Sequence, residues 1–211
     1  MRVRLIAHGV AAGGVTVTLL AVILMASVPT TAVTGQPPTS GYVVTSDGLE
    51  LHVSLNSSSL ATGQTVEVAA WIFNPSTEFV NASSSDGWAR GDFAAGPCGV
   101  MNYPVGILMA KGNYSLSNLE DAQSLQIYDT GAFGCPMVLS SISGFGFQPN
   151  SSLAAVYGSC SSPSCFTEDA TVTGTFSGWY GVTHVAFAPG VYTVVAGDIW
   201  GGMALLHFVV S

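Results

Sequence analysis

Residues that could do chemistry are sparse in this sequence, and the densest group lies near its end. The segment GDIWGG, residues 197–202, combines an acid, a tryptophan and three glycines between two apolar runs, and His207 stands inside the second run. A glycine-rich turn binds phosphate when it opens a helix, because the first N–H groups of a helix are unpaired. Here residues typical of a strand follow the turn. We therefore expect a closing hairpin with Trp200 packed on its loop. His207 is then the only residue of this segment that remains a candidate for a functional role.

Histidines are the residues most able to bind a metal here. Three of them, His52, His184 and His207, lie in segments with a strand pattern. If the first and last strands of a sandwich are neighbours, His52 and His207 approach each other, and such a pair with a sulfur ligand binds copper. Copper carriers of that kind gather Cys, His and Met in one short loop, and the sequence shows no such cluster. We expect His52 on a polar strand face, His207 at a cross-strand or rim position, and no cofactor or metal.

Motifs of catalysis and of calcium binding are missing from the sequence. It holds no GxSxG, no HExxH, no P-loop and no dinucleotide-binding glycine pattern. The acidic pairs are Asp47/Glu50, Glu120/Asp121 and Glu168/Asp169. Calcium takes six to eight oxygen ligands, and no Asx-rich loop gathers that many. We therefore predict that the protein is not an enzyme.

Aromatic residues beside glycine or polar residues suit contact with carbohydrate or with another protein, because few charges surround them. These residues are Trp88, Trp179, Trp200, Tyr103, Tyr114 and Tyr180. For any single one of them we favour a role in the core or as a loop anchor.

The first thirty residues have the layout of an export signal. Arg2 and Arg4 precede an uncharged run of 19 residues, 10–28, and small residues follow. This order is typical of a secretory signal peptide, and the run is also long enough for an uncleaved anchor. We predict a signal peptide or membrane-anchor helix in residues 1–32 and a linker in 33–41. The rest is then extracellular or at the cell surface.

The part beyond this segment is strongly acidic. All 12 acids lie there, but only Arg90 and Lys111 of the four basic residues do, which leaves a net charge of −10 at neutral pH. Binding of nucleic acid relies on Lys and Arg at the phosphates, so we exclude it, and we expect membrane contact only through the N-terminal segment. Other surface proteins or glycans are the predicted partners, with self-association as an alternative. Because protonating the carboxylates breaks few ion pairs, we also expect an acid-tolerant domain.

Cysteines and glycosylation motifs agree with export. The four cysteines Cys98, Cys135, Cys160 and Cys165 form an even set, which favours disulfides in an exported chain. Three pairings exist, and we favour Cys98–Cys135 with Cys160–Cys165, since SCSSPSC can close a small loop. The acceptor motif N-x-S/T predicts glycosylation at Asn56, Asn81, Asn113 and Asn150.

Strand patterns organise the exported part. GLELHVSL, residues 48–55, alternates apolar and polar residues, and TVEVAAWIFN, residues 65–74, is a second strand candidate. Trp71 and Phe73 make the other face of that strand apolar, so we expect it to be covered on both sides near its end. We expect residues 75–165 to form a long loop region tied by disulfides. Short strand candidates within it are GILMAKG, SLQIYDT, PMVLSSI and LAAVYGS, which begin at residues 106, 124, 136 and 153. Near the end, Pro189 and Gly190 precede Tyr192, an arrangement typical of a corner between two sheets.

The segments LELHVSLNSSSLATGQTVEVAAWIFN and AFAPGVYTVVAGD with ALLHFVV resemble the opening and closing strands of immunoglobulin-like domains in microbial surface and secreted proteins. The resemblance implies an all-β, antiparallel, immunoglobulin-like sandwich of about 7–9 strands in residues 42–211. That fold mostly serves binding or structure. We therefore predict a non-catalytic, exported module for structural or adhesive interaction. The alternatives are a filament subunit that donates the strand Tyr42–Ser46 to a neighbour, and a small exported copper or metal carrier.

Overall fold

A computed structural model describes residues 36–83, 87–100, 103–131, 144–156 and 168–211. They belong to one compact unit, Gly35–Ser211. The predicted signal or anchor in residues 1–32 lies outside the described residues, as do Cys135, Cys160 and Cys165. Within the described ranges, no helix has the length and apolar character needed to cross a bilayer.

About half of the described residues lie in strands and none lie in an α-helix, which confirms the predicted all-β class with antiparallel sheets. Their strands are β1 Ser40–Val44, β2 Glu50–Leu55, β3 Ser59–Leu60, β4 Val66–Phe73, β5 Val80–Ser83, β6 Val105–Lys111, β7 Gly144–Phe147, β8 Leu153–Val156, β9 Glu168–Asp169, β10 Thr171–Phe176, β11 Gly178–Tyr180, β12 His184–Ala186, β13 Gly190–Asp198 and β14 Met203–Val210. One short 3-10 turn, Leu119–Asp121, lies between β6 and β7.

Two four-stranded sheets carry most of the core. The first sheet has the strand order β1-β2-β4-β10, and the second has the order β3-β14-β13-β6. Neighbouring strands in both sheets are antiparallel, except that β3 runs parallel to β14. A third sheet has the order β5-β7-β8-β9, and β11 pairs with β12 in a separate hairpin.

The inner faces of the first two sheets pack on each other. Burial alternates along β2, β4 and β14, so that every second side chain enters the core, as expected from the two-residue period of a strand. Val53 of β2, Ala70 of β4 and Phe208 of β14 belong to the same buried cluster. The polar or larger residues between them therefore point to the outer faces of the sheets.

The region predicted to be a disulfide-tied loop region with short strand candidates, residues 75–165, contains four strands in its described part, and two of them, β6 and β8, lie on the predicted candidates. It supplies β6 at the edge of the second sheet and three of the four strands of the third sheet. Strand β1 begins at Ser40, inside the predicted linker. The last two strands form the antiparallel hairpin expected from the sequence, with Gly190 opposite Val210 and Gly197 opposite Met203.

Candidate functional site

The outer face of the first sheet carries a row of three rings, which we call the aromatic row: Tyr42, His52 and Trp71. Tyr42 of β1 lies opposite His52 of β2, and His52 lies opposite Trp71 of β4. Alternation places all three on the same outer face, because Leu51, Val53 and their neighbours on the other face are buried. The row thus depends on the register of three strands that are separated in sequence.

The three rings stack face to face across the strands. The ring centroids of Tyr42 and His52 lie 5.2 Å apart, and those of His52 and Trp71 lie 4.9 Å apart with an interplanar angle of 7°. This spacing matches the separation of neighbouring strands, about 4.8 Å, so the rings stand upright on the sheet. Phe73 meets His52 edge-on. We expected the outward face of β4 to be covered near Trp71 and Phe73. Both side chains contact the ring of His52, which belongs to the same sheet.

A carboxylate fixes the central ring of the row. The Nε2 atom of His52 lies 2.8 Å from Glu50 Oε2, and because a carboxylate only accepts, His52 Nε2 is the donor. His52 thus points outward from β2, but the face that we expected to be polar also carries the rings of Tyr42, Trp71 and Phe73 around it. At the open end of the row, Tyr42 is 61% exposed.

Next to the aromatic row, the same face forms a shallow polar depression of about 600 Å³. Its outward-facing residues are Ser54, Asn56, Glu67, Ala69, Thr173 and Thr175. Ala69 pairs with Ser54 on one side and with Thr173 on the other, and its small side chain forms the bottom of the depression. The lining thus offers hydroxyl groups, an amide and one carboxylate beside exposed aromatic surface.

The outer face of the second sheet is covered, in contrast. Phe93, from the loop before β6, packs on the facing glycines Gly106 and Gly197, and a Cβ atom at Gly197 would lie 2.3 Å from the Phe93 ring. Phe93, Leu119 and Val195 belong to a second buried cluster on this side. Glycines at these two positions are therefore what allows the loop to lie close to the sheet.

Arg90 holds this cover in place. It donates to the carbonyl oxygens of Leu119 and Ala122 and to both carboxylate oxygens of Asp92, at 2.9 Å and 2.6 Å. The hydrogen bond from Arg90 is the main reason why the pKa of Asp92 lies below its usual value. The second basic residue of the described part, Lys111, has its Nζ 6.0 Å from the centroid of the Tyr192 ring.

His207 forms a hydrogen bond that links β14 to the loop after β6. Its Nε2 donates to the carbonyl oxygen of Tyr114 at 2.8 Å, and its register partner Thr193 donates to the carbonyl of Gly112. His207 and His52 alternate with core residues of different sheets, so their side chains point away from each other. His184 lies on β12, with Nε2 3.3 Å from Ser177 Oγ. The described residues contain no group of three or more His, Cys, Asp or Glu that could hold a metal ion.

The GDIWGG segment is the loop of the closing hairpin. Asp198 Oδ1 accepts the backbone N–H groups of Trp200 and Gly202 at 2.9 Å and 2.7 Å, and Trp200 packs edge-on against Phe145 and Phe147. Asp198 is fully buried, and its Oδ2 has no hydrogen-bond partner within the described residues. Burial raises the pKa of this carboxyl group above its ordinary value.

The three tryptophans among the aromatic residues singled out in the sequence serve packing. Trp88 packs against Phe93, Trp179 against Phe187, and Trp200 is buried. Tyr103, in contrast, is 44% exposed. The aromatic row was missed because its members come from three segments. The signal that was present is the aromatic or imidazole ring at an outward position in each of these strand patterns.

The predicted modification sites are only partly within the described residues. Cys98 lies within the described residues, whereas the other three cysteines lie outside them, so disulfide formation and the pairing both stay predictions. The four predicted glycosylation sites, Asn56, Asn81, Asn113 and Asn150, are all exposed. Glycosylation itself also stays a prediction.

Comparisons of the chain with protein families, with curated proteins and with solved structures found no match.

Proposed function

We propose that the chain is an exported, non-catalytic module of the immunoglobulin-like type, which makes adhesive contacts at the cell surface through the outer face of its first sheet. The observation that carries this proposal is the difference between the two outer faces. Loops cover one of them, whereas the other presents the aromatic row with Tyr42 61% exposed. Aromatic side chains are enriched in contact surfaces because they combine apolar area with polar edges.

Two features support the immunoglobulin-like part of the proposal. Strand β3 runs parallel to the last strand, β14, while the neighbouring β2 belongs to the other sheet. Tyr192 near the start of β13 donates from its hydroxyl group to the carbonyl of Ala188 at 2.9 Å. A tyrosine that bonds back to the corner before its own strand is a feature of this class of sandwich.

Export is proposed from the sequence and is compatible with the surface. The apolar run in residues 10–28 after two arginines supports a signal peptide or anchor. The exposure of all four predicted glycosylation sites is compatible with modification of the folded chain. These features together favour the extracellular space or the cell surface.

The alternatives have less support from the described residues. The candidate donor strand of a filament, Tyr42–Ser46, is already paired within its own chain, since β1 hydrogen-bonds to β2. The copper carrier needs His52 and His207 to approach, and they point outward from different sheets. We therefore place adhesion first.

The test uses the purified full chain and the immobilised envelope proteins and glycans of the cells that produce it. We expect Tyr42→Ala and Trp71→Ala each to weaken binding about tenfold or more, because buried Tyr and Trp contacts dominate interface energies. Val182→Ser is the matched control, since Val182 is fully exposed at the tip of the β11–β12 hairpin. Equal binding by all variants would contradict the proposal.

Loss of folding is separated from loss of contact by a further variant. Ala69→Gln adds bulk to the floor of the polar depression and leaves the three stacked rings in place. It should weaken binding while its melting temperature stays close to that of the unchanged chain.

A further inference from the structure

Trp71 presents one ring face to the edge of the first sheet. His52 covers the other face at 4.9 Å with nearly parallel planes. On the side away from His52, the register partner of Trp71 is Thr171 of β10, and β10 ends the strand order of its sheet. The indole ring therefore lies between the imidazole of His52 and the outward-facing threonines of β10.

The neighbouring depression supplies groups that suit sugar hydroxyls. Thr173 follows Thr171 on the same face of β10, one strand repeat along, and Ser54 and Asn56 lie across the floor. Hydroxyl and amide groups both donate and accept hydrogen bonds. The C–H face of a pyranose ring is apolar and slightly positive, and so complements the negative face of an aromatic ring.

Charge selects among glycans. In the described part of this face the charged residues are the acids Glu50 and Glu67, with His52 as the only basic side chain. Arg90 is bound to Asp92, and Lys111 lies on the second sheet near Tyr192. A sialylated or uronic glycan would meet like charge without a cation to neutralise it.

We infer that the outer face of the first sheet binds a neutral glycan, with one sugar ring packed against the indole of Trp71 on the side of β10 and its hydroxyl groups hydrogen-bonded in the adjacent polar depression. This inference rests on the proposed adhesive function and names the ligand class for that same face.

The test measures binding of the full chain to three sets of soluble oligosaccharides by calorimetry and by ligand-observed NMR. Neutral hexose and N-acetylhexosamine oligomers should bind, whereas sialylated or uronic oligomers of the same length should bind at least tenfold more weakly. Amine-bearing glucosamine oligomers form the third set. Binding of that set in preference to the neutral one would overturn the inference, because it would assign recognition to the acids.

Variants locate the site. Trp71→Ala should reduce affinity for the neutral oligomers at least tenfold, and Thr173→Val should reduce it severalfold. Thr183→Val is the matched control, because Thr183 is exposed in the β11–β12 turn. Absence of binding to every neutral oligomer at millimolar concentration, or equal affinities of Trp71→Ala and the unchanged chain, would overturn the inference.

Failure of this inference differs from failure of the adhesive proposal. If envelope binding depends on Trp71 but persists after enzymatic removal of the envelope glycans and is lost after protease treatment, the contact is with protein. The adhesive function then stands, and the glycan assignment is wrong.

Discussion

The carboxyl group of Asp198 is fully buried, and its burial gives the fold a response to pH. Burial raises its pKa, the negative charge of Asp47 adds to this, and the backbone N–H groups of Gly202 and Trp200 oppose it. A raised pKa means that the folded state favours the protonated form. The contribution of Asp198 to stability is therefore fully present below the ordinary Asp pKa of about 3.9, and is lost as the pH rises through the raised value.

We predict that Asp198→Asn changes this pH dependence. The asparagine oxygen can still accept the two backbone N–H groups, but it never becomes charged. The melting temperature of the variant, relative to the unchanged chain, should be higher at pH 7 than at pH 3, by roughly 2–4 °C for each kcal/mol recovered.

The control for this prediction is Asp129→Asn. Asp129 is exposed and likewise accepts a backbone N–H two residues later, from Gly131 at 2.9 Å. Its pH profile should run parallel to that of the unchanged chain. If the melting temperature of Asp198→Asn also runs parallel to that of the unchanged chain, ionisation of the Asp198 carboxyl group does not lower the stability of the fold.

The aromatic row stabilises strand β1. This strand lies at the edge of the first sheet and pairs only with β2 in the described part of that sheet. Two stacked contacts, Tyr42 with His52 and His52 with Trp71, add side-chain links across β1, β2 and β4. Cross-strand pairs of this kind each contribute about 0.2–1 kcal/mol.

We predict that His52→Ser loosens β1 locally. Amide hydrogen exchange in Ser40–Val44 should accelerate by roughly 2- to 30-fold, as expected for the loss of two cross-strand pairs, while exchange in β13 should change little. Ser54→Ala is the matched control, because Ser54 occupies the next outward position on β2. If the amides of β1 exchange at the same rate in both variants, the aromatic row does not stabilise β1.

Local elements were predictable from the sequence, whereas their combination into a site was not. The closing hairpin and the Tyr192 corner depend on neighbouring residues, so alternation and a Pro-Gly turn were enough to predict them. The aromatic row depends on the register of β1, β2 and β4, which no single segment contains. The packing of Phe93 on Gly197 links positions more than 100 residues apart, so the cover over the second sheet could not be predicted either.

At the scale of the whole molecule, two opposing groups shape the response to acid. The pKa of Asp92 is lowered, so its stabilising contribution is present above the ordinary Asp pKa and is lost as the pH falls through the lowered value. Asp198 acts in the opposite direction. The described residues contain only two ion pairs, His52–Glu50 and Arg90–Asp92.

We therefore predict that the melting temperature of the full chain changes by no more than roughly 5 °C between pH 7 and pH 3, which is about 1–2 kcal/mol for a domain of this size. Calorimetry at both pH values checks this. Unfolding at pH 3 and room temperature would contradict it and would mean that acid-labile interactions dominate the stability.

The central claim is that the outer face of the first sheet is the surface that contacts a partner. Hydroxyl-radical footprinting of the full chain, free and bound to the envelope fraction, measures this directly. We predict that the oxidation rates of Tyr42 and Trp71 fall severalfold on binding, while that of Tyr103, which is 44% exposed before β6, stays the same. Unchanged rates at Tyr42 and Trp71 in the bound state, or protection of Tyr103 instead, would contradict the claim.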